Sequence, residues 1–205
     1  VLLNECIQRL GIKPEGIYVD VTFGGGGHSK SILSKLDGGK LFAFDQDKSA
    51  SANALSQPNF KLINATFRYL KNFLRMEKVI KIDGLLADLG VSSHQFDVAE
   101  RGFSTRFDGK LDMRMNVNSI LSAKDVVNDY SEADLANVFY KYGDLKNSRK
   151  ISKKIIDARE VSSINTTSEL KDVINDLAPK KHMNQFLARV FQAIRIEVND
   201  EIKAL

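Results

Sequence analysis

The sequence predicts an α/β fold, a Rossmann-like parallel sheet interrupted by an inserted helical domain. Over the first hundred residues, short runs that are apolar along their whole length alternate with helical patterns, the rhythm of βαβ units. From about residue 123 to Pro179 the pattern is helical throughout, with no strand run between. The 205 residues, 43% of them apolar, are enough to build a core and carry such an insertion.

Residues 16–21 read as a buried first strand. Gly24, Gly25, Gly26 and Gly27 then turn the chain into a helix over roughly residues 29–36, with Ile32, Leu33 and Leu36 on one face and Gly38-Gly39 as its stop. Residues 40–45 are a second strand, a short Ala/Ser helix follows, residues 60–65 are a third strand, and Phe67, Leu70 and Leu74 mark the next helix. Residues 82–89 are a fourth strand. Four wholly apolar runs imply a sheet covered on both faces. Residues 91–115 are polar, rich in Arg, Asp, Ser and Phe and without a regular period, so they read as one long functional loop. Ser131-Glu-Ala-Asp134 resembles a capped helix start. In the last segment Leu187, Val190, Phe191, Ile194, Val198 and Ile202 are spaced for one helix face that returns the chain to the sheet. The expected domains are 1–115 (first part of the core), 116–182 (helical insertion) and 183–205 (return helix).

Composition excludes several classes. Cys6 stands alone, so no intrachain disulfide forms, and His28, His94 and His182 lack metal-ligand spacing, so no metal is expected. No run approaches the roughly 18 apolar residues of a membrane span and no signal segment opens the chain, which gives a cytoplasmic expectation and no membrane partner. The net charge of +4 favours a polyanionic partner only slightly. The chain starts at Val1 and stops at Leu205 inside a helical pattern, so it reads as a piece of something longer.

A glycine-rich turn between a first strand and a helix lets the backbone approach a ligand and offers helix N-terminal amides. Asp45, about 20 residues further on at the end of the second strand, stands where an acid binds ribose hydroxyls. Ser29 at the sixth position breaks the strict G-x-G-x-x-G dinucleotide fingerprint. Asp20, just before the glycines, suits the cationic methionyl end of S-adenosylmethionine and would repel a pyrophosphate. A nicotinamide dinucleotide and a purely structural glycine turn stay open as alternatives. By topology Asp45, Phe67 and Asp88 ring the crevice beyond the strand ends. Phe67 reads equally as an adenine cover or a core residue, Asp88 as an acceptor for an amine or a turn cap, and His28 as a cofactor contact or a local backbone bonder.

The motifs Asp20-Val-Thr-Phe-Gly-Gly-Gly-Gly-His28-Ser29, Asp88-Leu-Gly-Val-Ser-Ser93 with Gln95, Ala99-Glu-Arg-Gly-Phe-Ser104, Leu111-Asp-Met-Arg-Met115 and Phe191-Gln-Ala-Ile-Arg-Ile-Glu-Val-Asn199 resemble the MraW/RsmH family. The match runs in order from Val1-Leu-Leu-Asn-Glu5 to the end. The resemblance implies a class I methyltransferase that moves a methyl group from S-adenosylmethionine to the exocyclic N4 of a cytidine in the decoding region of 16S ribosomal RNA, so the expected partner is the small ribosomal subunit. It implies cofactor contacts at Gly26, Gly27, His28, Asp45, Phe67, Asp88 and Gln95. Three departures stand out: His94 where the family has Pro, Gln185-Phe186 where it has His-Pro, and the missing Gly-Gly turn and Ile-Ser-Phe-His-Ser region beyond the last helix. The final strands of the sheet are therefore expected to be absent from this chain, which bears on its own activity.

The implied reaction is direct displacement by the cytosine amine, with Asp88, Ser92 or a carbonyl of residues 89–93 holding an N–H and turning the lone pair toward the methyl group. Asp88 is not assigned as a general base, because the amine loses its proton more easily after methylation. The base must be single-stranded or flipped. Arg101, Phe103, Arg106 and Phe107 offer phosphate contacts and stacking faces, or else form an ordered loop tied by Arg–Asp pairs with Asp97, Glu100, Asp108 and Asp112. Lys146, Arg149, Lys150, Lys153 and Lys154 form a basic cluster for an RNA backbone or a solvated face. Arg189, Gln192, Arg195 and Asn199 project away from the apolar stripe toward an expected substrate side. A nicotinamide oxidoreductase and a non-catalytic RNA-binding module remain the rival classes, and the oligomeric state stays open, a homodimer included.

Overall fold

The computed structural model describes residues 2–178 and 180–205; Val1, which opens the first motif, and Pro179, at the expected end of the helical stretch, lie outside the described residues. The chain divides into two compact units. One comprises the residues up to Ser92 with Ala204 and Leu205, the other Ser93–Lys203.

The first unit runs α1 (Leu3–Leu10), β1 (Ile17–Asp20), α2 (Gly27–Leu33), β2 (Lys40–Phe44), β3 (Phe60–Ile63), α3 (Leu70–Met76) and β4 (Gly84–Leu86). Its four strands are all parallel in the order β3-β2-β1-β4, the Rossmann-like arrangement in which the chain reverses direction across the sheet beside β1. The pleat sends alternate side chains to opposite faces. Tyr18 and Leu41 join Ile7, Ile32, Leu33 and Leu86 in one core cluster, while Val19, Val21, Phe42 and Phe44 join Ile63 and Leu74 in another. Both faces of β1 and β2 are thus covered, which is why these runs are apolar throughout. Gly39 is required by the tight entry to β2, since a Cβ there would lie 2.4 Å from the Gly16 carbonyl oxygen.

Two details depart from expectation. The fourth run, expected over residues 82–89, is a strand only over Gly84–Leu86, and Leu85 is 44% exposed, so coverage on both faces does not extend to β4. Among the described residues β4 pairs with β1 alone. The Ala/Ser segment is a 3-10 turn, Lys48–Asn53, capped by Asp47 accepting from the Ser49 amide.

The second unit contains α4 (Ser93–Asp97), α5 (Ala123–Asp129), α6 (Glu132–Gly143), α7 (Ser148–Val161), α8 (Thr167–Ile174), α9 (Met183–Val198) and all but the last residue of α10 (Glu201–Ala204). Side-chain caps start three of them: Ser122 with Asp125 and Thr166 with Glu169 form capping boxes, and Ser131 accepts from the Asp134 amide. The apolar stripe of α9 packs on α5 and α6, at the centre of this unit. The compact units divide elsewhere than the expected boundaries at 115/116 and 182/183: Ser93–Lys203, α9 included, form one unit. The single final helix also breaks, at Asn199 and the left-handed Asp200, leaving Ile202 half exposed. Among the described residues no helix is long and apolar enough to cross a membrane.

Candidate active site

At the carboxyl ends of β1, β2 and β4 the first unit gathers the glycine turn and three carboxylates. Gly24 (φ +50°) and Gly26 (φ +74°) adopt the left-handed region, and a Cβ on Gly26 would press to 3.0 Å from the Phe23 ring. Gly25 and Gly27 are exposed, with no atom within 4 Å of where a Cβ would stand. The backbone there is bare, and the first amides of α2 lack intrahelical acceptors. Asp45 fastens this turn to β2: one carboxylate oxygen accepts from the Gly24 amide at 2.8 Å, the other from the Asp47 amide at 2.8 Å. Asn53 closes the other side, its side-chain amide donating to the Gly24 carbonyl at 3.1 Å.

Asp20 is wholly buried. Its oxygens accept from the Ser29 hydroxyl at 2.7 Å, the Thr22 amide at 3.0 Å and the Thr22 hydroxyl at 3.3 Å. Burial pushes the Asp20 carboxyl above its ordinary pKa, and these bonds and the nearby His28 only partly pull it back. Asp45 is also raised, first by burial, against the pull of its two amide donors. Ser29, the residue that breaks the dinucleotide fingerprint, is therefore the one that holds Asp20 beneath the turn. The signal for it was the departure itself.

Asp88 stands exposed at the exit of β4, and its amide donates to the Thr22 hydroxyl at 2.8 Å. Ser92 lies beside the glycine turn: a Cβ on Gly24 would be 3.6 Å from its Cβ. Phe67 is partly buried and packs on the cluster of Val19, Phe42 and Phe44, so the core reading accounts for part of it while a share of the ring stays accessible. His28 is partly exposed in the first turn of α2. These residues all belong to the first unit, whereas Gln95 is buried in α4 of the second. Thr22, Asn53 and Asp47 were not singled out by sequence reasoning, because hydroxyl and amide partners across strands leave no pattern in sequence.

The RNA candidates separate sharply. Phe103 is 4% exposed and offers no face to a base, and the Arg101 guanidinium lies 5.7 Å from its ring. That guanidinium donates to the carbonyls of Arg114 (2.8 Å) and Met115 (3.2 Å), while Arg114 forks onto Asp112 at 2.9 and 2.6 Å. Arg101 and Phe103 thus take part in the internal bonding and packing of the loop. The loop is built closely: a Cβ on Gly102 would fall 2.2 Å from the Lys110 carbonyl oxygen. It is anchored to α8, whose Ser168 amide donates to Asp108 at 3.1 Å. Arg195 is likewise withdrawn, paired with Glu201 at 2.7 and 3.1 Å, and Asn199 bonds the Met115 amide and Met113 carbonyl at 2.7 Å each. Gln192, exposed, donates to the Tyr142 carbonyl at 3.3 Å, and Arg189 lies 3.8 Å from Asp144 with its side chain 44% exposed. Lys154 is paired with Asp176. Arg106, Phe107, Lys146, Arg149, Lys150 and Lys153 remain exposed.

The model of the MraW methylase family matches residues 1–205. The ribosomal RNA small subunit methyltransferase H of Flavobacterium johnsoniae is 58% identical over 206 aligned residues, covering 100% of this chain and 68% of that protein. The proteins of the same name from Christiangramia forsetii and Bacteroides fragilis are 55% and 54% identical with the same coverage. With the glycine turn, Asp45 and Asp88 placed at the strand ends and the match running the length of the chain, this chain belongs to the MraW methylase family.

Proposed function

We propose that this protein methylates small-subunit ribosomal RNA, transferring the methyl group of S-adenosylmethionine to the exocyclic N4 of a cytidine in the decoding region. The observation that carries this reading is the fastening of the glycine turn to Asp45, which sets an acceptor carboxylate beside the exposed Gly25 and Gly27 at the strand ends. The names of the relatives, all ribosomal RNA small subunit methyltransferases, support the substrate class. Buried Asp20 behind the turn disfavours the dinucleotide alternative, since its charge and the absent third glycine oppose a pyrophosphate.

The residues present suit such a cofactor. Gly26 and Gly27 bring main chain to it, and the remaining lone pairs of Asp45 accept ribose hydroxyls. Phe67 covers an adenine face with the part of its ring that is accessible. When bound, S-adenosylmethionine supplies an electrophilic methyl group on a sulfonium. Asp88, or Ser92 beside the turn, accepts an N–H of the cytosine amine and directs its lone pair. No general base is needed before transfer, because the N4 proton becomes acidic only once the nitrogen is methylated. The exposed cations of α7, with Arg106, meet the RNA backbone.

The test is transfer from methyl-tritiated S-adenosylmethionine to naked ribosomal RNA, assembled small subunits and assembly intermediates, with nucleoside digestion to identify N4-methylcytidine. Label in N4-methylcytidine is the expected outcome; none, beside an active control methyltransferase, overturns the reading. Asp45→Ala should weaken cofactor binding more than tenfold by calorimetry, since it removes the ribose acceptor and loosens the Gly24 amide together, and tight binding in that variant counts against the site.

A further inference from the structure

Where β1 and β4 part, a side chain carries on the bonding of the sheet. The Val21 amide donates to the Leu86 carbonyl at 2.9 Å; two residues on, the Asp88 amide donates instead to the Thr22 hydroxyl at 2.8 Å. The strands can therefore separate at the crevice while the exit of β4 stays fixed. A hydroxyl has one hydrogen and two lone pairs, so what receives its hydrogen decides where the lone pairs face. For Thr22 that receiver is Asp20, at 3.3 Å, which as a carboxylate only accepts. Asp20 is in turn held from three directions: by its place in β1, by the Thr22 amide at 3.0 Å and by the Ser29 hydroxyl at 2.7 Å from α2. A buried anion with these partners has no freedom to turn, and the orientation passes from α2 through β1 to the end of β4.

We propose that Thr22 is a positioning residue for methyl transfer: its hydroxyl, aimed by Asp20, fixes the main chain at Asp88 and with it the segment 88–92 that holds the acceptor amine. This rests on the function proposed above. Displacements well under an ångström in such a segment are enough to lower a rate of in-line transfer. The bond from the Asp88 amide ends this chain at the β4 exit, so it bears on turnover more than on holding the cofactor.

The experiment compares Thr22→Val, which keeps the shape and removes the hydroxyl, with Thr22→Ser, which keeps the hydroxyl, in the full chain. Thr22→Val should lower kcat about tenfold, with KM and Kd for S-adenosylmethionine within about twofold of wild type, and Thr22→Ser should recover most of the rate. Amide hydrogen exchange at Asp88 should quicken in Thr22→Val and return toward wild type in Thr22→Ser. An equal loss in both variants, a cofactor Kd that weakens in step with kcat, or an unchanged kcat overturns the assignment. If the wild-type protein methylates no small-subunit RNA, the functional reading fails separately. The exchange comparison then decides alone, and unchanged protection at Asp88 overturns the role of Thr22.

Discussion

Asp20, wholly buried, and Asp112, partly buried, respond to pH in opposite directions. For Asp112 burial raises the pKa, but the forked bonds and charge of Arg114 more than offset it and leave the carboxyl below its ordinary range. Asp20 has only hydroxyl and amide donors, and burial wins. Its folded-state pKa thus lies above its unfolded value, so as pH rises the unfolded chain releases this proton first and the folded state loses stability through the window above the ordinary carboxylate pKa. Asp20→Asn carries no charge and keeps the bonds, since Ser29 can turn its hydroxyl to accept. The stability of Asp20→Asn minus that of wild type should increase with pH between about pH 4 and pH 7 in urea unfolding; a flat or falling difference refutes the sign. At this scale the sequence was legible for backbone and not for partners. The glycine turn and Asp45 could be read because glycine and a strand-end acid are demanded by local geometry. Arg101, Phe103 and Arg195 could not, because nothing in their spacing says whether a guanidinium meets a phosphate, a carbonyl or a nearby glutamate.

Among the elements, α7 shows how a face is divided. Ile151 and Ile155 are buried with Ser148 and Ser152 against the rest of the helical unit, and the opposite face carries Arg149, Lys150 and Lys153 at helical spacing, all exposed, with exposed Lys146 just before the helix. Lys154 lies off this face and is neutralised by Asp176. A solvated surface and an RNA backbone site differ in one measurable respect, counterion release. Lys150→Glu with Lys153→Glu should weaken binding to small-subunit RNA and flatten the plot of log affinity against log salt by about 1.4, the change expected for two lost contacts to single-stranded phosphates at about 0.7 each. Unchanged affinity assigns the face to solvent. Strands and caps were legible here: the runs at β1, β2 and β3 and the Ser131 cap follow directly from apolar continuity and side-chain chemistry. The long loop was legible only as a loop, because its order comes from Asn199, Arg101 and α8, contacts that join residues far apart in sequence.

For the whole molecule, the division into units was the least legible feature. An apolar stripe such as that of α9 states that a helix is half buried, not which core buries it, and proximity to the end of the chain suggested the sheet. The structure puts α9 with the helices for reasons that can be tested. Gly143 of α6 lies so close to α9 that a Cβ there would come 3.0 Å from the Arg189 carbonyl oxygen and 3.3 Å from the Ala193 Cβ. Seven α9 residues are buried, Val190 and Ile194 completely, and Asn199 at its end pins the segment in which Leu111, Met113 and Met115 are buried. A fragment of residues 116–182 lacks α9, Asn199 and the segment of Leu111, Met113 and Met115, and leaves the apolar faces of α5 and α6 open to water, whereas residues 93–203 retain them. Burying a side chain of Val or Ile size contributes about 1.5–3 kcal/mol, so losing several exceeds the stability of a small helical unit. The 93–203 fragment should therefore show a helical circular dichroism spectrum and a cooperative thermal transition, and the 116–182 fragment neither. Cooperative melting of the shorter fragment would restore the boundaries read from sequence and make α9 dispensable to the helical core.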